Sequence, residues 1–228
     1  MFLDELVNRL NNTIVRYENI LRYLKARRIT AEIIREYKLG YNKIVRVSSD
    51  KEPEKSRFFE ESKGGKKFEN RLILPITDAF GRIVGIYGRS LERKDYKTFI
   101  LDQFKQNGYF FGLYQALPHI YNTGKVFVVE GFFDLWAIRT IYPNVVATLT
   151  AGMNDNQYEY LSYYSDDIIM MLDADKAGRY GMYKTQKRYK KIRTIDIGYK
   201  DPAKCYETLD KKDFYEYLTR KVKESILL

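Results

Sequence analysis

Apolar positions along the chain change their period as the sequence runs. Over residues 2–38 they recur every three or four places. Leu3, Leu6, Leu10, Ile14, Tyr17, Leu21 and Leu24 make one stripe, the pattern of an amphipathic helix. Thr30 then stands at an N-cap position ahead of Ile33, Ile34 and Tyr37, with Gly40 as the expected C-terminal stop. Residues 48–70, SSDKEPEKSRFFEESKGGKKFEN, lose the period and read as an irregular, mobile loop or ragged hairpin. In RLILPITDAFGRIVGIYGRSL (71–91) two β-rich runs flank Asp78-Ala79-Phe80-Gly81, the composition of a hairpin turn. From residue 125 short continuous apolar runs take over: VFVVE (126–130), VVATL (145–149), DIIMMLD (167–173) and RTIDI (193–197). Helical patterns near 134–142, 155–164 and 176–190 separate them. Strands without polar alternation, spaced by helices, predict a parallel sheet covered on both faces. The expected fold class is α/β, with an α+β front lobe over 1–115, a parallel-sheet lobe over 116–210 and a C-terminal helix over 211–228.

Composition narrows the chemistry. Forty-five per cent hydrophobic residues suffice for a real core, and no apolar run approaches the ~20 residues that cross a bilayer. The N-terminus MFLDELVNRL mixes acids and bases rather than forming a signal peptide; the expected location is the cytoplasm. Cys205 and His119 are the only residues of their kinds. They exclude a disulfide framework, a zinc ribbon within the chain and Ser-His-Asp machinery. Carboxylates, Lys/Arg and bound metal remain. His119, following Pro118, reads as a loop residue, and Cys205 as a packed small hydrophobe.

Net charge is +10, and it is unevenly placed. Residues 1–108 hold 23 Lys+Arg against 15 Asp+Glu, and residues 109–228 hold 17 against 15. A basic front half suits a polyanion, nucleic acid first, because neutralised phosphates release counterions.

The acids of the rear half matter by position. In open α/β sheets functional side chains gather outside the carboxyl ends of the strands. Glu130 closes the first rear strand, with Asp134 four residues on. Asp173 and Asp175 close the third, and Asp201 follows the fourth. Such residues also serve as turn residues and helix caps. Five together would repel one another unless a hard divalent cation, Mg²⁺ above all, sat among them. Two such ions form the clamp of in-line phosphoryl transfer.

The EGFFD segment followed by the DxD of LDADKAGR (172–179) resembles the Toprim domain shared by primases, topoisomerases and some nucleases. The likeness extends further. YLKARRITAEIIREYKLGY (23–41), RLILPITDAFGRIVGIYGRSL, YFFGLYQAL (109–117), VVEGFFDLWAI (128–138) and LDADKAGRYG are similar, in order, to blocks of the RNA-polymerase core of bacterial DnaG-type primases. That resemblance implies Glu130 as an acid, base or metal-organising carboxylate. It implies Asp173 and Asp175 as principal metal ligands, with Asp134 beside them and Asp201 as the first Asp of the family's DPD. Ala203 stands where the family has the second. Lys176 and Arg179 match basic positions that contact nucleotide phosphates. Arg71 and Arg89 match arginines lining the template groove. Lys97 and Lys105 lie near family lysines, in shifted register.

The function so implied is synthesis of short RNA primers on a single-stranded DNA template from NTPs, with Mg²⁺ or Mn²⁺ as cofactor. A zinc ribbon and a helicase-binding module are missing from the 228 residues, so a separate zinc-ribbon or helicase partner is expected, as for a phage or mobile-element protein in its host's cytoplasm. Two other readings stand beside it: a Toprim-type nuclease using the same acids, and a non-catalytic primase-derived subunit that binds single-stranded DNA or helicase.

Overall fold

The computed structural model describes residues 2–42, 70–91, 98–100, 108–189 and 192–226. Lys97, Lys105 and all of the charged 48–70 stretch except Asn70 lie outside them. The chain divides into two compact units, one formed by Met1–Ile76 with Ile83–Phe104, the other by Thr77–Arg82 with Lys105–Leu228.

The first unit opens with α1 (Phe2–Ile14), α2 (Glu18–Ala26) and α3 (Ala31–Glu36). The apolar stripe is therefore cut once, after Ile14. The β-branched run Thr13-Ile14-Val15 is a poor helix interior, and the Thr13 hydroxyl donates back to the Leu10 carbonyl at 3.1 Å. Leu6, Leu10, Ile14, Ile20 and Leu24 are all buried. Thr30 caps α3, its hydroxyl accepting from the Ile33 N–H at 3.3 Å. Gly40 has a different task from the one its position suggests. The helix ends earlier, with Lys38 at φ 49° and the Leu39 N–H returning to the Ile34 carbonyl at 2.9 Å. Gly40 instead opens β1 (Gly40–Asn42), where a Cβ would lie 2.6 Å from Cβ of Leu10. Close approach of strand to helix requires the glycine. Asn11 seals that junction, its amide donating to the Leu39 carbonyl at 2.7 Å.

Strands β1, β2 (Arg71–Thr77), β3 (Ile83–Ser90) and β4 (Thr98–Ile100) form a sheet in that order. The β1–β2 and β3–β4 pairs are antiparallel. The expected turn joins β2 to β3. Asp78 builds it, one oxygen accepting from the Phe80 and Arg82 N–H groups at 2.9 and 3.0 Å, the other meeting the Arg82 guanidinium at 2.7 Å.

The second unit runs α4 (Leu113–Thr123), β5 (Lys125–Val129), α5 (Phe132–Arg139), β6 (Val145–Ala147), α6 (Asp155–Ser162), β7 (Asp167–Met171), α7 (Lys176–Arg188), β8 (Ile192–Thr194), α8 (Pro202–Thr208) and α9 (Lys211–Ile226). Its strands lie in the order β6-β5-β7-β8, all parallel. Val126, Val128, Ile168 and Met170 pack with α4 in one apolar cluster. The alternate residues Phe127, Val129, Ile169 and Met171 are buried as well. Both faces are covered, as unbroken apolar strands require.

The segment around Pro118 and His119 is helical, contrary to the loop expected there. An interior proline costs about 3 kcal/mol. Burial of Leu113, Ala116, Leu117 and Ile120 on the same helix offsets it, at about 1.5–3 kcal/mol for each large side chain. His119 is exposed. Cys205 is fully buried, and burial pushes its thiol up to about 11, which leaves it inert.

Candidate active site

The strand order positions the chemistry. From β5 the chain moves to β6 on one side, then crosses back to β7 on the other. The carboxyl ends of the parallel neighbours β5 and β7 lie side by side, while the connections leaving them run to opposite sides, and that divergence opens the crevice where α/β sheets bind ligands. Glu130 follows β5 directly and Asp173 lies two residues beyond β7, with Val129 and Met171 paired in register.

Three of the remaining acids sit on helix N-terminal turns, where backbone N–H groups and the helix dipole favour negative charge. Asp175 caps α7, accepting from the Gly178 N–H at 2.8 Å. Asp201 caps α8, accepting from the Lys204 N–H at 2.6 Å. Asp134 lies in the first turn of α5. It accepts from the Gly131 N–H at 3.1 Å and reaches the start of α8 to accept from the Ala203 N–H at 2.9 Å. Ala203 thus contributes its backbone to the cluster, in a buried place. The helix-cap role open to these acids is real for all three.

Asp173 is different. Its Oδ1 is buried without a hydrogen-bond partner, although unpaired buried carboxylate oxygens are costly. Burial raises its carboxyl to about 6, Asp201 and Asp175 add to the rise, and Lys200 opposes it. Burial likewise lifts Glu130 to about 7, with Asp173 and then Asp175 adding. Asp134 rises to about 8 through burial and the charge of Asp173, against the bonds from Ala203 and Gly131. The five acids form one electrostatic cluster. Among the described residues no three of them make a preformed metal cage, because Asp134, Asp175 and Asp201 are turned onto backbone N–H groups. Oxygen donors, concentrated negative charge and the orphaned Asp173 oxygen fit a hard divalent ion that draws the carboxylates together on binding.

A pH dependence follows. All three raised groups bind a proton more tightly in the folded chain than in the unfolded one. From the ordinary carboxylate range up to about 8 the folded state therefore holds more protons, and the metal-free protein loses stability as pH climbs through that window. A divalent ion favours the ionised forms and reverses the loss. The rise in Tm on adding Mg²⁺ should be larger at about pH 8.5 than at about pH 5.5; an equal rise at both would place the ion elsewhere.

Basic residues flank the cluster. Lys176 is the exposed first residue of α7. Arg179, one turn on, donates to the Ala174 carbonyl between the two acids of the DxD. Lys200, which the sequence pattern did not single out, accepts from the Ala174 N–H on its carbonyl at 2.8 Å and ties the β8–α8 connection to the same loop. Arg71 and Arg89 belong to the sheet of the first unit. Arg71 is 7% exposed and donates to the Gly88 carbonyl at 3.5 Å, while Arg89 is half-buried near the end of β3.

A family model described as the DNA primase catalytic core, N-terminal domain, matches residues 8–117, and a Toprim-like model matches residues 127–218. The chain belongs to the catalytic cores of DnaG-type primases. A DNA primase of Aquifex aeolicus is 29% identical over 196 residues, covering 79% of this chain and 39% of that protein. The crystal structure of the zinc-binding and RNA-polymerase domains of the Aquifex aeolicus primase superposes with a TM-score of 0.79 at 25% identity, over 98% of this chain and 60% of that one. The fold is shared too with a DnaG catalytic domain bound to single-stranded DNA, at TM-score 0.76 and 22% identity, over 95% of this chain and 79% of that one. The chain spans 39% of the length of the Aquifex primase and 32% of a Rickettsia typhi DNA primase. Toprim-type primase cores use divalent metal ions, which agrees with the donor set of this core. None of its described helices is long and apolar enough to cross a membrane.

Proposed function

We propose that this chain is the catalytic core of a DNA-dependent RNA primase, joining ribonucleotides on single-stranded DNA by metal-assisted nucleotidyl transfer. The observation that carries the reading is the orphaned Asp173 oxygen within five carboxylates at the switch point of a Toprim-like sheet.

In each step the primer 3′-oxygen attacks the α-phosphorus of an incoming NTP. A P–O bond forms, the α–β phosphoanhydride breaks, and pyrophosphate leaves with its electron pair. Bound Mg²⁺ or Mn²⁺ would make the 3′-hydroxyl more acidic and offset charge on the leaving pyrophosphate. Asp173, Asp175 and Asp201 would hold the ions, with Glu130 positioned as a further ligand or as acceptor of the hydroxyl proton. Asp134 would tie α5 to α8 and so keep Asp201 in place. Lys176 and Arg179, at the N-terminus of α7, would receive triphosphate oxygens. Arg71 and Arg89 would align the template, with Lys97 and Lys105 assisting. The division of labour is a basic lobe over 1–115, a catalytic lobe over 116–210 and a terminal helix over 211–228. A zinc ribbon or helicase in trans would supply sequence choice, in the cytoplasm.

The test compares synthesis from free NTPs on single-stranded DNA with extension of a pre-annealed oligoribonucleotide. Extension should exceed initiation by the lone chain, since a pre-formed 3′-end removes the need to hold two nucleotides together. Shortened DNA would assign a nuclease, and retention of DNA without turnover a binding subunit. Either would overturn the proposal.

A further inference from the structure

Helix α7 leaves the site at Asp175 and carries an outward face of unusual make-up. At 100° per residue, Lys176, Arg179, Tyr180, Tyr183, Lys184 and Lys187 fall within an arc of about 140°. Gly178 and Thr185 lie on the opposite, buried side. Tyr180 and Tyr183 are each 60% exposed. The Lys184 ammonium sits 5.2 Å from the Tyr180 ring centroid, and that of Lys187 sits 6.0 Å from that of Tyr183. The helix contains no acid.

Contrast α9, also exposed on one side, where Lys212 pairs with Glu216 and Arg220 with Glu224, both at 3.9 Å. That is the ordinary way a surface helix balances its charge. Arg220 and Lys221 of α9 also lie over the Tyr217 ring, but on α7 Lys184 and Lys187 have rings beside them and no acid on the helix to pair with. Asp155, near the far end of the helix, is taken up by Arg188 and Tyr189. A cavity of about 400 Å³ lined in part by Lys184, Lys187 and Arg188 continues the face at its far end. Alternating cations and open rings over about 17 Å of helix match a polyanion that also presents flat π-faces. Single-stranded nucleic acid has that chemistry; an acidic protein surface would leave the rings unused.

We infer that the outer face of α7 is a track for single-stranded nucleic acid, Lys184 and Lys187 meeting phosphates and Tyr180 and Tyr183 stacking on bases. The inference rests on the primase reading for its purpose, which is to guide the template or the product strand at the carboxylates. Its physical basis is independent of that reading.

Fluorescence anisotropy tests it on the full chain, with labelled oligo-dT and oligo-rU of about 20 nucleotides titrated over roughly 50–300 mM salt. Lys184→Gln/Lys187→Gln should weaken binding and lower the slope of log K against log salt by about 1.4, two phosphates at roughly 0.7 each. Tyr180→Ala/Tyr183→Ala should weaken binding at least roughly 10-fold with the slope unchanged. Lys211→Gln/Lys212→Gln on α9 is the matched control and should leave the slope alone. A loss confined to oligo-dT identifies the template as occupant, and one confined to oligo-rU the product; either supports the track. Wild-type binding by both α7 variants, or an equal loss from the α9 pair, overturns it. Primer extension measured in parallel separates the two claims. Extension by a wild-type chain whose α7 variants bind normally rejects the track alone. Altered α7 binding without any extension rejects the primase reading alone.

Discussion

Asp173→Asn is expected to lower primer extension by roughly 100-fold or more while raising the Tm of the metal-free protein. The amide keeps the shape of the side chain and removes the charge that would hold the ion. It also removes a buried charge that Asp201 and Asp175 oppose and offers a donor to their carboxylates. Sites built for function carry such strain. At this size each kcal/mol relieved moves Tm by about 2–4 °C. The opposite signs give the experiment its power, since a merely structural role would lower activity and Tm together. Asp175→Asn is the companion variant. Asn caps helices as well as Asp, so the acceptor for the Gly178 N–H survives and the drop in extension reports lost charge. Near wild-type extension by either variant at saturating Mg²⁺ would remove these acids from the machinery.

Gly178→Ala should be nearly as damaging, for a different reason. A Cβ at this position would lie 2.0 Å from the backbone oxygen of Asp173, 2.9 Å from its carbonyl carbon and 3.0 Å from its nitrogen. All three are backbone atoms and cannot swing aside. Either the first turn of α7 or the Asp173 backbone must shift, and the shift also breaks the Asp175 cap at Gly178. Overpacking of this kind costs about 1–3 kcal/mol or more, a fall in Tm of several degrees. A displacement of about 1 Å among catalytic groups costs roughly 100-fold in rate. Gly85→Ala is the control, because its Cβ would meet Ile76 at an ordinary 3.8 Å. Thermal melts and extension assays on both variants check the expectation. Normal extension by Gly178→Ala would show that the carboxylates do not depend on this close approach.

Much of the candidate site was legible before any coordinates. Glu130, Asp173, Asp175 and Asp201 stand at the ends of apolar runs, and run ends are visible in one dimension. The order of the blocks carried the family. Gly178 was visible only as a letter of the DxDxAGR motif, since close backbone approach leaves no periodic trace. Lys200 was missed because nothing local marks a residue whose carbonyl and charge serve a loop that closes on it through the fold.

Local pattern alone determined the helix–strand alternation of the rear half, the turn at Asp78, the Thr30 cap and the poverty of thiol and imidazole ligands. Each depends on residues a few places apart, or on composition. Tertiary structure decided the rest. It made Gly40 a point of strand–helix contact rather than a helix stop, since Leu10 is what it meets. It kept a helix running through Pro118, because the burial of four apolar side chains outweighs one lost hydrogen bond. It turned Asp134, Asp175 and Asp201 onto backbone N–H groups and left one oxygen of Asp173 with none. Which of several equivalent carboxylates stays unsatisfied depends on where helix ends fall in space, and the order of acids along a chain does not contain that information.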